Sequence, residues 1–201
     1  YYPQQLHQDP RNGRFPAWTR TLAHLLKPLG YRAYHSGKWH VTGAPKPVAD
    51  GGFDRSYDLE DHDRNFYPKR HLEDDRPLPP VATGGGYYSS TAFADHAIRC
   101  LKEHAADHPG RPFFSFLAFT VPHFPLHAPA EDVAHYRTRY RQGWETIRAE
   151  RLRRMQALGL VRCGLSAPER DLGPPYDFPD HLKRLGTNEV NRPLPWESLT
   201  P

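Results

Sequence analysis

The chain has 201 residues, of which 37% are hydrophobic and 22 are prolines, so it can form one sizeable domain with many loops. Its 27 basic and 23 acidic side chains give a formal charge of +4, a weak excess that does not by itself indicate nucleic-acid binding. No apolar run is long enough to predict a membrane span, and the two cysteines, Cys100 and Cys163, do not make a disulfide framework or a zinc-binding set.

Two helix-then-strand units are predicted along the chain. Leucines at helical spacing predict a helix over residues 16–29, and a short strand over residues 31–36 follows it. A second helix is predicted over about residues 89–108, with Cys100 as a small core residue. The apolar run over residues 113–119 predicts a strand buried on both faces. This order favours an α/β fold.

The remaining segments are predicted to be less regular. Closely spaced prolines and glycines over residues 41–87 predict a long loop-rich insertion, of a kind that is usually functional or mobile. Residues 131–158 follow a helical pattern that breaks at Gly143, with one apolar side. Residues 160–201 turn to proline, glycine and charge, which predicts an irregular tail. We expect a single domain over residues 1–201.

Charged and titratable side chains follow both predicted strands. Lys38 and His40 come just after the first strand, and His123 and His127 lie in a proline-rich loop directly after the second. Ligands of open α/β sheets bind outside the carboxyl ends of the strands. A lysine there can hold an anionic oxygen, and a histidine can transfer a proton near neutral pH. The pattern indicates an enzyme that acts on an oxyanion ester, although any single histidine is interpreted equally well as a loop residue bonded to backbone or water.

Other functional sites are predicted only weakly. Four acidic side chains could supply oxygen ligands to a metal, but alternating acids in a proline-rich loop are more often solvated: Asp58, Glu60, Asp61 and Asp63. We therefore predict no metal ligands in this sequence. The arginines of residues 137–154 could touch nucleic acid, but Glu145 and Glu150 dilute them, and a solvated helix face is the preferred interpretation. No nucleophile motif is present, and Cys163 has no histidine nearby.

Four motifs follow one another in a recognisable order. They are residues 30–40, which end in Gly-Lys-Trp-His, residues 52–54 (Gly-Phe-Asp), the helix start at residues 88–98, and residues 112–125, from Pro-Phe-Phe to Pro-His-Phe-Pro. In sequence and spacing they resemble the type I sulfatases, arylsulfatase-like enzymes of the alkaline phosphatase superfamily. The resemblance covers at least residues 16–160. It implies an α/β fold with a central mixed sheet flanked by helices, here incomplete, and the hydrolysis of sulfate esters.

The resemblance also implies roles for three residues. Lys38 would bind the sulfate of the substrate, and His40 would contact the nucleophile. His123 would contact the sulfate and protonate the leaving oxygen. His40 and His123 are thus the expected catalytic residues, with Lys38 and His123 binding a sulfated small molecule or glycan. The family also implies a periplasmic or extracellular location, and we expect neither nucleic acid nor membrane as a partner.

Two parts of the family's site are missing from the sequence. The family nucleophile is a formylglycine made from a Cys/Ser-x-Pro/Ala-x-Arg motif, and the residues around Cys163 do not match it. The acidic pairs that bind Ca²⁺ in the family are also absent. We therefore expect residues 1–201 to be an internal segment of a longer sulfatase, inactive alone; a decayed relative is the alternative. Two other functions remain open: a phosphodiester or phosphonate monoester hydrolase, and a non-catalytic module that binds anionic glycans.

Overall fold

The computed structural model describes residues 18–41, 43–61, 63–167 and 196–198. The chain divides into two compact units, one that ends at His127 and one that begins at Ala128. The predicted irregular tail lies largely outside the described residues. Of its described parts, residues 160–167 contain no helix or strand, and Trp196–Ser198 form a 3₁₀ turn.

The first unit is built on a five-stranded sheet with the order β4-β3-β2-β1-β5. Its strands span Arg32–Gly37 (β1), Arg55–Leu59 (β2), His71–Glu73 (β3), Arg76–Pro77 (β4) and Phe113–Ala118 (β5). Strand β1 runs parallel to β2 and β5, whereas β2, β3 and β4 pair antiparallel. The mixed sheet expected from the sequence is therefore confirmed.

Three of these strands lie within residues 41–87, where the sequence predicts a loop-rich insertion and indicates no strand. The strands β2, β3 and β4 are short, and the prolines and glycines around them hid their pattern. Asp74 and Asp75 form the turn between β3 and β4 at positive φ angles of 49° and 65°. Aspartate tolerates this conformation better than most side chains, which allows a tight hairpin.

The first helix is shorter than the leucine spacing indicated. Helix α1 spans Leu22–Leu26, and a 3₁₀ turn continues over Lys27–Leu29. Pro28 lacks the N–H that a longer α-helix would use, which favours the tighter turn. Gly30, at φ 84°, ends the segment as predicted. The helical spacing of the leucines does not indicate a buried face, because three of them are more than half exposed: Leu22, Leu25 and Leu29.

The second helix, α2, spans Ser89–Asp107 and covers one face of the sheet, close to its predicted bounds. Phe93, which is fully buried, packs with Tyr57 and Leu59 of β2 in one core cluster. Cys100 is 1% exposed, so its prediction as a core residue is confirmed.

Two buried histidines of α2 bond to the side chains of β1. The Nδ1 atom of His104 lies 2.8 Å from the Tyr34 hydroxyl, and Nδ1 of His96 lies 2.6 Å from the Ser36 hydroxyl. Burial lowers the pKa of His96 to about 4, assisted by the charges of Arg99 and Arg55. This histidine is therefore neutral at pH 7 and can accept a hydrogen bond from the Ser36 hydroxyl.

Strand β5 was predicted to be buried on both faces, and in the described structure it is not. Its side chains at Phe113, Phe116 and Leu117 are 40% to 48% exposed. The reason is its position: β5 is an edge strand, and no other described strand pairs with its outer edge. The apolar run identified the strand but could not place it in the sheet.

The second unit contains helix α3 (Ala130–Tyr136), a 3₁₀ turn and helix α4 (Trp144–Ala157). Gly143, at φ 84°, separates them, which confirms the predicted break. A Cβ atom at Gly143 would lie 2.9 Å from the ring of Trp196. Of the predicted apolar side only Ile147 is buried, and the arginines lie mostly exposed, as expected. Among the described helices, none has the length and apolar content needed to cross a membrane.

The buried cluster around Phe93 leads to a stability prediction. Phe93→Ala would leave a cavity between α2 and β2, and we expect it to lower the free energy of unfolding by about 3–5 kcal/mol. Ile98→Ala, on the same helix but 49% exposed, should cost less than about 1 kcal/mol. Urea unfolding followed by circular dichroism would measure both. Equal costs would contradict the assignment of Phe93 to the core.

Candidate active site

The three parallel strands end at one edge of the sheet, where the predicted site residues follow them. Gly37 at the end of β1 is in register with Asp58 of β2 and with Ala118 of β5. The ladder continues one residue further, because the Lys38 N–H donates to the Ala118 carbonyl at 2.8 Å. The segments that carry Lys38 and His123 thus leave the sheet from neighbouring strands. This is the carboxyl edge, where ligands of such sheets bind.

Gly37 permits the close approach of β1 and β5 at this edge. It adopts φ 120°, and a Cβ atom there would collide with the carbonyl group of Ala118. Any other residue would push the two strand ends apart or lose the bond between Lys38 and Ala118. The glycine of the Gly-Lys-Trp-His motif therefore has a steric role.

Trp39 anchors the turn between Lys38 and His40. Its indole N–H donates to the Ala44 carbonyl at 2.5 Å. Its ring packs edge-on against His35 and Phe53, at centroid distances of 5.3 and 5.7 Å. Lys38 is half-buried beside it, while His40 is exposed. The tryptophan ring thus holds the backbone from which a cation and an imidazole project.

His123 lies in the loop after β5 with its side chain exposed. Its backbone N–H donates to the Thr120 carbonyl at 3.1 Å. Its Nδ1 lies 2.6 Å from the Phe124 carbonyl. A carbonyl can only accept, so Nδ1 carries the proton and Nε2 is left for proton transfer with a ligand.

His127, the second histidine of this loop, contacts the body of the first unit. Its Nδ1 lies 3.5 Å from the Asn65 amide, and its ring packs on Phe66 at 5.8 Å. Its carbonyl accepts the Tyr88 hydroxyl at 3.2 Å. His127 is therefore a loop histidine that is bonded to its surroundings.

The acidic residues of the 41–87 segment were predicted to be solvated, and for two of them this is wrong. Asp61 is 3% exposed and accepts hydrogen bonds from Lys69, Arg70 and Arg64. Burial acts to raise its pKa, but these hydrogen bonds outweigh it and lower the pKa to about 2. Asp61 therefore stabilises a turn. No group of three or more metal-binding side chains occurs within the described residues.

Asp58 is the residue of this edge whose importance the sequence concealed. It is 7% exposed at the end of β2, and its Oδ1 has no hydrogen-bond partner. Burial raises its pKa to about 7, although the backbone N–H groups of Trp39 and Leu59 act in the opposite direction. Only the prediction of a parallel strand ending at this point could have drawn attention to it.

Comparison with known proteins identifies the family of this chain. The family model for sulfatases matches residues 1–171. This chain belongs to the sulfatase family. An uncharacterized sulfatase of Schizosaccharomyces pombe is 32% identical over 194 residues, which cover 89% of this chain and 31% of that protein. An arylsulfatase of Klebsiella aerogenes is 29% identical over 182 residues, which cover 86% and 39%. The sulfatase chain thus spans 31% to 39% of the length of these relatives.

Solved structures were also found to be similar. One shows a protein in complex with its substrate D-glucosamine-2-N,6-O-disulfate, with 23% identity, a TM-score of 0.48, and 62% of this chain and 23% of that chain covered. Another shows a protein in complex with a neocarrahexaose, with 24% identity, a TM-score of 0.47, and 57% and 29% covered. The family assignment of the sulfatase chain rests on the sequence matches and not on these scores.

Asp58 leads to a prediction about pH and stability. An ordinary aspartate ionises near pH 3.8, whereas Asp58 does so at about 7 when folded. The folded state therefore holds an extra proton between these values. The stability that this proton confers is fully present below about pH 4 and is lost as the pH rises through 7. The Asp58→Asn variant has no ionisable group at this position and so does not lose this stability as the pH rises. We therefore expect the difference in Tm, variant minus wild type, to increase from pH 4 to pH 8.

Asp61→Asn is the matched control for this measurement. Because the folded pKa of Asp61 is lowered to about 2, its stabilisation is present above about pH 4 and is lost as the pH falls through 2. At pH 8 the Asp61→Asn variant should melt below the wild type. A Tm difference for Asp58→Asn that does not change with pH would contradict the prediction. Thermal unfolding followed by circular dichroism across this range would measure both variants.

Proposed function

We propose that this chain supplies part of the active site of a sulfuric ester hydrolase. In this proposal Lys38 binds the sulfate, His40 contacts the nucleophile, and His123 contacts the sulfate and protonates the leaving oxygen. The observation that supports it is the bond from the Lys38 N–H to the Ala118 carbonyl. This bond joins the two strands whose ends lead to Lys38 and to His123.

The chemistry of sulfate esters requires these residue types. Cleavage of the S–O bond leaves negative charge on the leaving oxygen, and a positioned acid lowers the barrier by protonating it. The Phe124 carbonyl fixes the His123 proton on Nδ1, so the second proton of the imidazolium lies on Nε2 and is the one donated. Lys38 is half-buried, so its charge acts on sulfate oxygens with less screening than an exposed lysine would.

The family's formylglycine and Ca²⁺ do not fit the residues described. Cys100 is buried in α2, where burial raises the pKa of its thiol to about 11. Cys163 is exposed but lies outside any matching motif. The described residues offer no cluster that could hold a metal ion. We therefore propose that both are supplied from sequence outside residues 1–201.

We further propose that the substrate is a sulfated small molecule or glycan and that the protein acts in the periplasm or outside the cell. The arylsulfatase among the relatives supports the substrate class. A phosphodiester or phosphonate monoester hydrolase is the second candidate, because Lys38, His40 and His123 would serve either ester. A non-catalytic glycan-binding module is the third.

Substitution of Lys38 tests the proposed sulfate contact. In the protein expressed from its complete gene, Lys38→Ala should lower kcat for 4-nitrophenyl sulfate by about 10²-fold, because one oxyanion contact is lost. Lys46→Ala, in the exposed segment after the turn, should leave kcat within about twofold, since it removes a similar charge away from the site. Equal effects of the two variants would contradict the role of Lys38.

Substitution of His123 tests proton donation to the leaving group. His123→Ala should lower kcat/KM by about 10²- to 10⁴-fold for alkyl sulfates, whose leaving oxygen needs a proton. The loss should be much smaller for 4-nitrophenyl sulfate, whose phenolate leaves unaided. A uniform loss across both substrates would contradict the role of general acid. Parallel assays with bis(4-nitrophenyl) phosphate would detect the phosphodiesterase alternative.

The residues 1–201 expressed alone are expected to hydrolyse no aryl sulfate. The physical reason is the missing nucleophile motif and metal ligands. Turnover should equal that of the Lys38→Ala variant of the same segment. Turnover well above this control would contradict the proposal that nucleophile and metal come from elsewhere.

A further inference from the structure

One peptide group determines how Lys38 and His40 leave the sheet. It consists of the Lys38 carbonyl and the Trp39 N–H. One buried side chain lies near the carbonyl, and another lies near the N–H. Nε2 of His35 lies 3.4 Å from the Lys38 carbonyl oxygen. Asp58 is in register with Gly37, the residue before Lys38, and the Trp39 N–H acts to lower the pKa of the Asp58 carboxyl group. The same peptide is therefore approached at its acceptor end from β1 and at its donor end from β2.

His35 and Asp58 lie on the same face of neighbouring parallel strands. His35 is in register with Ser56, and Asp58 is in register with Gly37, two residues further along. Alternate residues of a strand share a face, so His35, Ser56 and Asp58 form a buried polar row beneath the Lys38–His40 turn. This face is opposite to the one covered by α2, whose histidines bond to Tyr34 and Ser36.

The polar row is incompletely hydrogen-bonded, unlike most buried polar groups. Nδ1 of His35, Oγ of Ser56 and Oδ1 of Asp58 are three of the five buried side-chain polar atoms without a partner in the described part of the chain. Their exposures are 0%, 0% and 7%. An apolar row would be more stable at these positions if packing were their only task. The cost indicates a function for the polar side chains themselves.

We propose that His35 and Asp58 are positioning residues that clamp the Lys38–Trp39 peptide and so set the directions of Lys38 and His40. The role rests on the proposed function, because it concerns the same site. His35 acts through the carbonyl and Asp58 through the N–H, and neither needs to touch the substrate. The spacing of the clamp residues follows from the parallel register of β1 and β2.

The charge states of the two side chains agree with the clamp. Burial lowers the pKa of His35 to about 4, so the imidazole is neutral at pH 7 and donates its Nε2 proton to the Lys38 carbonyl. Asp58 changes charge near pH 7, and its carboxylate form is the better acceptor for the Trp39 N–H. The acidic groups that act on Asp58 are Glu60 and Asp75, and His35 is the titratable side chain on the same face of β1.

Matched controls separate positioning from general stabilisation. His71 of β3 is also a buried histidine of this sheet, bonded to the Tyr57 hydroxyl and the Pro79 carbonyl, and it does not bond to the turn. Asp61 is a buried carboxylate that stabilises a different turn. Substitutions of His71 and Asp61 should lower stability without changing how Lys38 and His40 act.

The first experiment measures the clamp directly and needs no enzymatic activity. The protein from its complete gene is labelled with ¹⁵N-tryptophan, and the Trp39 amide is followed by NMR between pH 5 and pH 9. We expect the Trp39 amide to shift with a midpoint near pH 7, and the shift to vanish in Asp58→Asn but persist in Asp61→Asn. No titration of Trp39, or a titration unchanged in Asp58→Asn, would overturn the clamp.

The second experiment measures its effect on catalysis with 4-nitrophenyl sulfate. Asp58→Asn and His35→Leu should each lower kcat/KM about ten- to a hundredfold, the loss expected from misplacing catalytic groups. His35→Gln, which can still donate to the Lys38 carbonyl, should recover part of that loss. His71→Leu and Asp61→Asn should leave kcat/KM per folded molecule within about twofold. Wild-type kcat/KM in a folded Asp58→Asn variant would overturn the positioning role.

The two experiments distinguish failure of the clamp from failure of the proposed function. If His35→Leu does not fold, Asp58→Asn still decides, because it is nearly the same size and removes a buried charge. If the wild-type protein hydrolyses no sulfate ester, the proposed function fails, and the Trp39 titration alone confirms or overturns the clamp.

Discussion

The pairing of β1 with β5 is the interaction on which the rest of the site depends. The two strands are in register from Arg32 and Phe113 to Gly37 and Ala118, and the Lys38 N–H extends the ladder by one bond. The pairing brings the end of the 113–118 strand beside the end of the 32–37 strand, although some 80 residues separate them in sequence. Without a glycine at position 37 the two backbones could not approach so closely.

The chain has few apolar residues, and both faces of β1 bury polar side chains. The two faces differ in how completely those side chains are hydrogen-bonded. On the face covered by α2, buried tyrosine, serine and histidine side chains pair with one another, so a polar core is largely hydrogen-bonded. On the other face, His35 stacks among Trp39, Phe53 and Phe116, while its Nδ1 has no partner. Hydrogen-bonded polar groups cost little when buried, whereas unpaired ones are costly. The unpaired face lies under the turn of the proposed site.

The chain belongs to the sulfatase family, and the structure shows which of its segments lie together. The residues that follow β1 and β5 carry the motif residues Lys38, His40 and His123, and the resemblance gives them roles that the chemistry of each side chain allows. The chain spans 31% to 39% of the curated relatives it matches. The activity of the whole protein is therefore a proposal that the complete gene must test.

Some of this could be predicted from the sequence because it depends on neighbours along the chain. The stop at Gly30, the break at Gly143, the burial of Cys100 and the placement of Lys38, His40 and His123 after strands all follow from local residue type and spacing. The strands within residues 41–87 were missed, because each is only two to five residues long and is stabilised by partners distant in sequence.

Tertiary structure alone decided the environment of each side chain. Asp58 and Asp61 look alike in the sequence, yet burial raises the pKa of one to about 7, and hydrogen bonds lower that of the other to about 2. The apolar sequence of β5 is typical of a core strand, but β5 lies at the edge of the sheet formed by the described residues. The sequence by itself determined which residues could perform chemistry, since that is a property of the side chain. Their charge, exposure and partners were decided by the fold, because these depend on groups that only the register of the sheet brings together.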